Sequence, residues 1–353
     1  MTSRERLKTV LNFGIPDRVP MVDISYWTST VERWRQEGIT MQLHPAELFG
    51  LDRIGMVIMD GSFQFGEKIL EDHEDYTVET DDNGATLRKW KVHYAPPQRL
   101  EWRMKTEDDW LRFKERLQIN ESRLTEDTWE CYQAYKQAGM FTAICPREPA
   151  WFFVEECFGF YNCLTAMVEK PEMVWDMFST YTDFTLALTK YAMDRGMEFD
   201  AFWFLSDLCY KNGMLFSPRV YRELLMPCHK KVSAFCREHN LPLLFHCDGD
   251  VHEFIPLIME SGFDCIQPLE VRAGNDVREL KRRYGNKIVF FGNIGVDAMS
   301  EGGKRLEEEV RSKVTVAKEG GGYIYHSDHS VPPTVSLENY RRTIQLVREY
   351  GQY

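Results

Sequence analysis

One short pattern in the sequence has the residue types and spacing of a metal-binding site. His246 and Asp248 are two positions apart at the end of an apolar run. Side chains at positions i and i+2 of an extended strand point to the same face. An imidazole nitrogen and a carboxylate oxygen can therefore meet at one divalent cation. In the alternative interpretation, Asp248 caps a loop or orients His246 through a hydrogen bond.

Further ligands for such an ion are available at the ends of later apolar runs. Glu270 follows the next run and would add a third ligand, and His329 or His326 would add a fourth. His326 and Asp328 are also two positions apart, so the choice between the two late histidines stays open. Three or four nitrogen and oxygen ligands suit Zn²⁺, and they also suit Fe²⁺ or Mn²⁺.

The elements that must position these residues alternate between short apolar runs and longer helical patterns. Such alternation predicts a parallel sheet wrapped in helices, and eight βα units close into a (β/α)8 barrel. A doubly wound open sheet is the alternative, but no GxGxxG motif follows an early strand. The eight predicted strands are residues 19–24, 54–59, 141–145, 201–205, 242–246, 265–267, 288–291 and 323–325.

Two segments in the first half of the chain interrupt this alternation. Residues 61–105 have an Asp-Asn-Gly turn at 82–84 between β-like runs, which predicts an inserted hairpin. Residues 106–139 predict additional helix before the third strand. Neither segment is large enough to form a domain. We therefore expect one barrel domain over residues 1–353, with an insertion at about 61–139.

Composition excludes several classes of function. The 353 residues include 55 acidic and 43 basic side chains, giving a net charge of -12. This balance argues against binding to nucleic acid or to an anionic membrane surface. No apolar run approaches the roughly 20 residues that span a bilayer, and we expect no signal peptide. Nine scattered cysteines without a CxxC motif predict reduced thiols in a cytoplasmic enzyme. A homodimer is one candidate assembly.

Short motifs are spread along nearly the whole chain. They are RER at 4–6, PDRVP at 16–20, GM at 213–214, SP at 217–218, FHCDG at 245–249, GFD at 262–264, PLE at 268–270, FGNI at 291–294, DHSVPP at 328–333 and LENY at 337–340. Their combination resembles the uroporphyrinogen decarboxylase family and its cobalamin-dependent methyltransferase relatives. The resemblance implies a (β/α)8 barrel, in agreement with the strand count.

The N-terminal part departs from the decarboxylase branch of this family. True porphyrinogen decarboxylases have an RQAGRY-type motif that grips the tetrapyrrole carboxylates. The corresponding stretch here is residues 23–27, and no arginine follows it until Arg33. A decarboxylase or lyase for another acidic substrate is the second interpretation, with Arg147, Lys211 and Arg272 as its cations. A non-enzymatic binding barrel is the third.

The methyltransferase branch binds zinc with a His-x-Cys motif, a later cysteine and, in some members, a glutamate. By this resemblance His246 matches the histidine and Glu270 the glutamate. Asp248 stands where the first cysteine would be, and His329 best matches the late one. Carboxylate and imidazole ligands leave a metal harder than thiolates do. We therefore expect the bound metal ion to polarise the oxygen of a methoxy compound or methanol.

The resemblance thus implies a zinc-dependent methyltransferase that moves a methyl group between a small, for example methoxylated aromatic, substrate and a cobalt corrinoid. The chain has no DxHxxG motif, so we expect a separate corrinoid protein that docks over the barrel mouth. Asp207 or Glu148 would orient the substrate or move a proton. The candidate substrate-binding residues are Asp23, Trp27, Arg147, Tyr210 and Asn293.

Overall fold

The computed structural model describes residues 1–40, 44–91 and 95–353. The strands are β1 (Ile54–Val57), β2 (Lys68–Asp72), β3 (Tyr76–Thr80), β4 (Thr86–Trp90), β5 (Gln98–Glu101), β6 (Phe141–Ile144), β7 (Ala201–Leu205), β8 (Cys209–Tyr210), β9 (Gly213–Met214), β10 (Leu243–Cys247), β11 (Cys265–Pro268), β12 (Val289–Phe291) and β13 (Tyr323–Ile324).

The helices alternate with these strands along most of the chain. They are α1 (Ser3–Leu11), α2 (Thr28–Gln36), α3 (Pro45–Leu48), α4 (Glu107–Phe113), α5 (Glu126–Gln137), α6 (Trp151–Phe158), α7 (Phe160–Glu169), α8 (Pro171–Asp194), α9 (Pro218–Val220), α10 (Met226–Glu238), α11 (Phe254–Ser261), α12 (Val277–Tyr284), α13 (Val296–Glu301), α14 (Gly303–Ala317) and α15 (Leu337–Tyr350). Within the described residues, no helix combines the length and apolar character needed to cross a bilayer.

Seven parallel strands form a curled sheet in the order β1-β6-β7-β10-β11-β12-β13. The segment around Met21 closes the gap between its two edges. Tyr325 donates its N–H to the Pro20 carbonyl at 2.9 Å, and Val22 donates to the Tyr325 carbonyl at 3.0 Å. On the other side, Asp52 donates its N–H to the Met21 carbonyl at 2.7 Å. The architecture is a (β/α)8 barrel, which confirms the predicted fold.

Alternating side chains of the strands fill the barrel with a compact apolar cluster. Trp203, Leu244 and Phe291 belong to it, and Leu7 and Val10 of α1 pack into the same cluster. Because α1 precedes the closing segment, it covers the N-terminal end of the barrel. The C-terminal end is left for the loops that follow the strands, where barrel enzymes place their chemistry.

The insertion contains more strands than the predicted hairpin. β3 and β4 pair through the predicted turn, in which Gly84 donates its N–H to the Asp81 carbonyl at 2.9 Å. β2 and β5 extend this pair to a four-stranded antiparallel sheet. Their side chains are almost all exposed, so neither strand has the apolar alternation that identifies a half-buried strand. α4 and α5 provide the predicted additional helix.

Candidate metal centre

His246 lies near the end of β10, at the mouth of the barrel. Leu244, two residues earlier, belongs to the apolar cluster inside the barrel, so His246 points to the same inner side. In the parallel register, His246 is paired with Leu205 of β7 and with Gln267 of β11. The imidazole therefore stands above the apolar layer, between two neighbouring strand ends.

Two aspartates lie close to the His246 ring, and a second histidine lies beside one of them. Its Nε2 atom lies 3.8 Å from Asp207 Oδ1 and 4.0 Å from Asp248 Oδ2, and His329 Nε2 lies 3.7 Å from Asp248 Oδ2. Asp207, His246 and Asp248 each offer one ligand atom within 4.8 Å of the others. Two ligands of a tetrahedral zinc ion are roughly 3.3 Å apart. The observed separations are only slightly wider, so small side-chain movements would bring these atoms onto one ion.

The Asp248 carboxylate has an oxygen that is available to bind a cation. Its Oδ1 atom is buried and, among the described residues, has no hydrogen-bond partner. Burial raises the pKa of the Asp248 carboxyl, an effect that the nearby His246 partly opposes. A buried carboxylate oxygen without a donor is costly. A cation bound between Asp248 and His246 would remove that cost, so the residues present fit a divalent metal.

Gln267 determines which nitrogen of His246 faces the aspartates. Its Oε1 atom is 2.6 Å from His246 Nδ1 and can only accept, so Nδ1 carries the proton. Nε2 then presents its lone pair toward Asp207 and Asp248. The side chain of Gln267 is buried, which fixes this arrangement. Sequence reasoning missed Gln267, and the available signal was an amide within an otherwise apolar strand that neighbours His246.

The other predicted ligands hold different positions. Glu270 accepts a hydrogen bond from the Gly249 N–H at 3.1 Å, beside the cluster of three but outside it. Its role as a ligand therefore stays a prediction. Both nitrogens of the buried His326 already have backbone partners: Nε2 accepts from the Ile24 N–H at 3.3 Å, and Nδ1 donates to the Ser327 carbonyl. His329 is thus better placed than His326.

A small cavity of about 140 Å³ opens directly on these groups. Its lining includes His246, Asp248, Gln267 and both late histidines. Comparison with known proteins identifies the family of this chain. The family model for uroporphyrinogen decarboxylase (URO-D) matches residues 154–350. The chain belongs to the uroporphyrinogen decarboxylase family.

Relatives within the family include more than one kind of enzyme. A methylated-thiol–coenzyme M methyltransferase of Methanosarcina mazei is 26% identical over 180 residues, 51% of this chain and 45% of the relative. A uroporphyrinogen decarboxylase of Pseudoalteromonas translucida is 29% identical over 148 residues, 39% of each chain. The chain thus spans less than half the length of these curated relatives. A solved methyltransferase from Methanosarcina mazei, 15% identical, shares the fold over 99% of both chains with a TM-score of 0.65.

In this member of the uroporphyrinogen decarboxylase family, two predicted substrate-binding residues serve as internal anchors. The buried Asp23 carboxylate accepts bonds from the N–H and hydroxyl of Ser327, both at 2.8 Å, and from the hydroxyls of Tyr325 and Tyr340. Asn293 is completely buried, and its side chain bonds to backbone groups, including the Val277 N–H at 2.8 Å. Both side chains join segments that are distant in sequence.

Glu148, a predicted catalytic residue, is also enclosed. It accepts bonds from the Ala150 and Phe152 N–H groups, both at 2.9 Å, which caps the start of α6. His229 Nε2 donates at 2.8 Å to the oxygen that also accepts from Ala150, and the Tyr221 hydroxyl lies 2.8 Å from His229 Nδ1. The structure therefore places Glu148 in a buried network behind the mouth, whereas Asp207 is exposed at the mouth.

Three further predicted substrate residues lie on the surface. Tyr210 is exposed in the short hairpin that follows Asp207, and the exposed Trp27 immediately precedes α2. Arg147 follows β6, with its Nη1 atom 2.5 Å from Glu156 Oε2. Their part in substrate binding stays a prediction.

Proposed function

We propose that this protein is a metal-dependent methyltransferase that moves a methyl group between a small substrate and a corrinoid protein. The observation that carries the proposal is the convergence of Asp207, His246 and Asp248 at the barrel mouth, where one buried carboxylate oxygen has no donor within the described part of the chain. A methyltransferase is among the relatives, which supports this activity.

The metal ion would be held by His246 Nε2 and the Asp248 carboxylate, with Asp207 and His329 as further ligands. Zn²⁺ suits this set of nitrogen and oxygen donors. When bound, such an ion acts as a Lewis acid that polarises the atom carrying the methyl group. Because imidazole and carboxylate ligands are harder than thiolates, the set favours an oxygen-bound methyl group, as in a methoxylated aromatic compound.

The protein's own groups hold this set in place before any ligand arrives. Gln267 accepts from Nδ1 of His246, so Nε2 is the nitrogen that faces the aspartates. The Asp248 N–H donates to Asp207 Oδ1 at 2.9 Å, which ties the loop after β7 to the loop after β10. Such fixed outer contacts raise metal affinity because less freedom is lost on binding.

The corrinoid would be presented by a partner protein at the open end of the barrel. This end is the side from which the His246 cavity is reached, because α1 covers the opposite end. The methyl group would pass between the substrate and the corrinoid across this mouth.

The decarboxylase interpretation needs cationic groups to bind an acidic substrate. Two of its three predicted cations are already paired with carboxylates. Arg147 lies 2.5 Å from Glu156, and Arg272 lies 2.5 Å from Asp297. These pairs reduce the positive charge that is available for a substrate carboxylate, which supports methyl transfer.

Two measurements on purified protein test the proposal. Elemental analysis should find about one metal ion per chain, and His246→Ala should lose it while retaining the wild-type circular dichroism spectrum. With a reduced corrinoid protein and methoxylated donors, the cobalt(I) spectrum should convert to that of methylcobalt. A metal-free wild-type protein, or no conversion with any donor and well-reduced corrinoid, would contradict the proposal.

A further inference from the structure

We infer that a second, larger cavity beside the metal centre binds the body of the methyl donor and selects a methoxylated aromatic with a hydrogen-bond-donating substituent over one with a carboxylate. This inference deepens the proposed function and rests on it. The cavity has a volume of about 460 Å³ and lies between the barrel mouth and the inserted sheet. Pockets of 300–1,000 Å³ are typical of sites for small organic ligands.

The cavity reaches the strand that neighbours His246. Leu205 at the end of β7 lines it, and Leu205 is the register partner of His246 on β10. Adjacent strands are about 4.8 Å apart. The cavity therefore ends one strand away from His246, and we infer that one end of a bound ligand points toward the metal centre while its body lies toward the insertion.

One wall of the cavity is aromatic and apolar. Phe152 of α6 and Tyr181, Phe184 and Leu188 of α8 contribute to it. The Tyr181 hydroxyl donates to the Gly61 carbonyl at 3.0 Å, so this ring is fixed against the loop after β1. A rigid aromatic wall suits a flat apolar body such as a benzene ring.

The polar part of the lining is mainly acidic. Asp60 comes from the loop after β1, Glu67 precedes β2, and Asp81 and Asp82 come from the turn between β3 and β4. Arg147 is the single cation in the described lining, where it shares Glu156 with Arg99, and the buried Arg123 lies 3.6 Å from Asp60. Glu67, Asp81 and Asp82 still outnumber these cations. The cavity therefore presents net negative charge.

The inserted turn holds its two aspartates rigidly. Asp81 Oδ1 accepts from the N–H groups of Asn83 and Ala85 at 3.0 and 2.8 Å. Asp82 Oδ1 accepts from the Gly66 N–H at 3.1 Å. Fixed carboxylates cannot turn away from an incoming anion, and like charges repel strongly in a partly enclosed site. They instead favour a ligand that donates hydrogen bonds, such as an amine or a hydroxyl.

A matched set of three ligands tests this selection by titration calorimetry at pH 7. The set is 3-methoxybenzylamine, 3-methoxybenzyl alcohol and 3-methoxybenzoate, which share the ring and the methoxy group. We expect the amine to bind at least about tenfold more tightly than the benzoate, with the alcohol between them.

Substitutions of single carboxylates show which residues cause the preference for the amine. Asp81→Asn and Asp82→Asn keep the oxygen that accepts the turn hydrogen bonds, and each should reduce the amine-to-benzoate ratio by about threefold or more. Asp72→Asn is the matched control, because Asp72 lies on the same inserted sheet but outside the cavity lining. It should leave the ratio unchanged.

Equal binding of the three ligands, tightest binding of the benzoate, or no binding at all would overturn the inference, as would equal effects of the cavity and control variants. One further result would separate this inference from the proposed function. A protein that prefers the amine but binds no metal and transfers no methyl group would support the cavity assignment and contradict the methyltransferase proposal.

Discussion

The two ends of the barrel use similar charged residues in opposite ways. At the N-terminal end, the buried Asp200 lies 2.8 Å from Arg4 and 2.7 Å from Lys8. At the C-terminal end, His246 is no closer than 3.8 Å to Asp207 and 4.0 Å to Asp248. Charges at the first end are matched within the chain, whereas those at the second are close but incompletely satisfied.

Asp52 shows how complete the matching is at the N-terminal end. Its carboxylate lies 2.5 Å from Arg6 and 2.7 Å from Arg18, and it accepts the Met21 N–H at 2.8 Å. Asp248, by contrast, has a buried oxygen that receives no hydrogen bond from residues 1–40, 44–91 or 95–353. Charges that are paired within the chain stabilise the barrel, whereas incompletely paired charges at the mouth are available to bind a ligand.

The strongest test of this comparison removes a matched charge. Asp52→Ala leaves the buried Arg6 with one carboxylate partner fewer, and loss of one member of a buried pair costs about 3–5 kcal/mol. We expect a decrease of about 3 kcal/mol in the free energy of unfolding, measured by urea denaturation. A decrease below about 1 kcal/mol would show that this end is not the stabilising one.

The next test concerns a side chain that acts through His246. Gln267→Leu removes the acceptor for Nδ1–H, and loss of such outer contacts weakens metal binding by about 10–100-fold. Competition with a chromogenic chelator measures the zinc affinity. Gln267→Glu keeps an acceptor and should retain most of the affinity. Equal zinc affinities for wild type and Gln267→Leu would show that Gln267 does not support metal binding.

A substitution at the mouth should change the free energy of unfolding by a smaller amount and should increase it. Asp248→Asn removes a buried carboxylate charge that lacks a donor, so the metal-free protein should become more stable by about 1 kcal/mol. Thermal unfolding in the presence of a chelator measures this. Asp207→Asn, at an exposed position, should stay within about 0.5 kcal/mol of wild type. A clear loss of stability in Asp248→Asn would mean that the mouth is also a stabilising region.

The smallest effect is a change in acid sensitivity. Burial raises the pKa of Asp200, but hydrogen bonds from Arg4, Lys8 and the Thr142 N–H outweigh it, so the net pKa is lowered. Its stabilising contribution is complete above the unfolded value of about 3.9 and is lost as the pH falls through the lower folded value. Asp200→Asn should therefore flatten the dependence of unfolding free energy on pH below about pH 4.

Asp264 provides the control for this pH dependence, because its pKa is shifted in the opposite direction. Burial raises the pKa of Asp264, so this carboxyl does not add stability as the pH increases. Asp264→Asn should leave the acid-side slope unchanged or make it steeper. Equal flattening by the two variants would contradict the assignment to Asp200.

Much of the barrel was predictable because its strands are buried. Seven of the eight predicted segments lie within one or two residues of a regular strand at both ends, and residues 20–22 pair at the position predicted for the first. β2 and β5 were missed because exposed strands have no apolar signal. Their pairing depends on β3 and β4, which a local pattern does not show.

The candidate site was predictable only where its residues are local in sequence. His246 and Asp248 follow from their spacing, but Gln267 enters through the register of β10 with β11. Asp207 was expected as a catalytic residue, and the structure brings it to His246 as a further candidate ligand. The anchoring roles of Asp23 and Asn293 depend on partners far along the chain.

The most direct test is an anomalous diffraction map, recorded at the zinc absorption edge, from crystals of the protein grown with zinc. The account predicts one strong peak about 2.0–2.2 Å from both His246 Nε2 and an Asp248 oxygen. A map without a peak at the barrel mouth, or with zinc bound only at other residues, would contradict it.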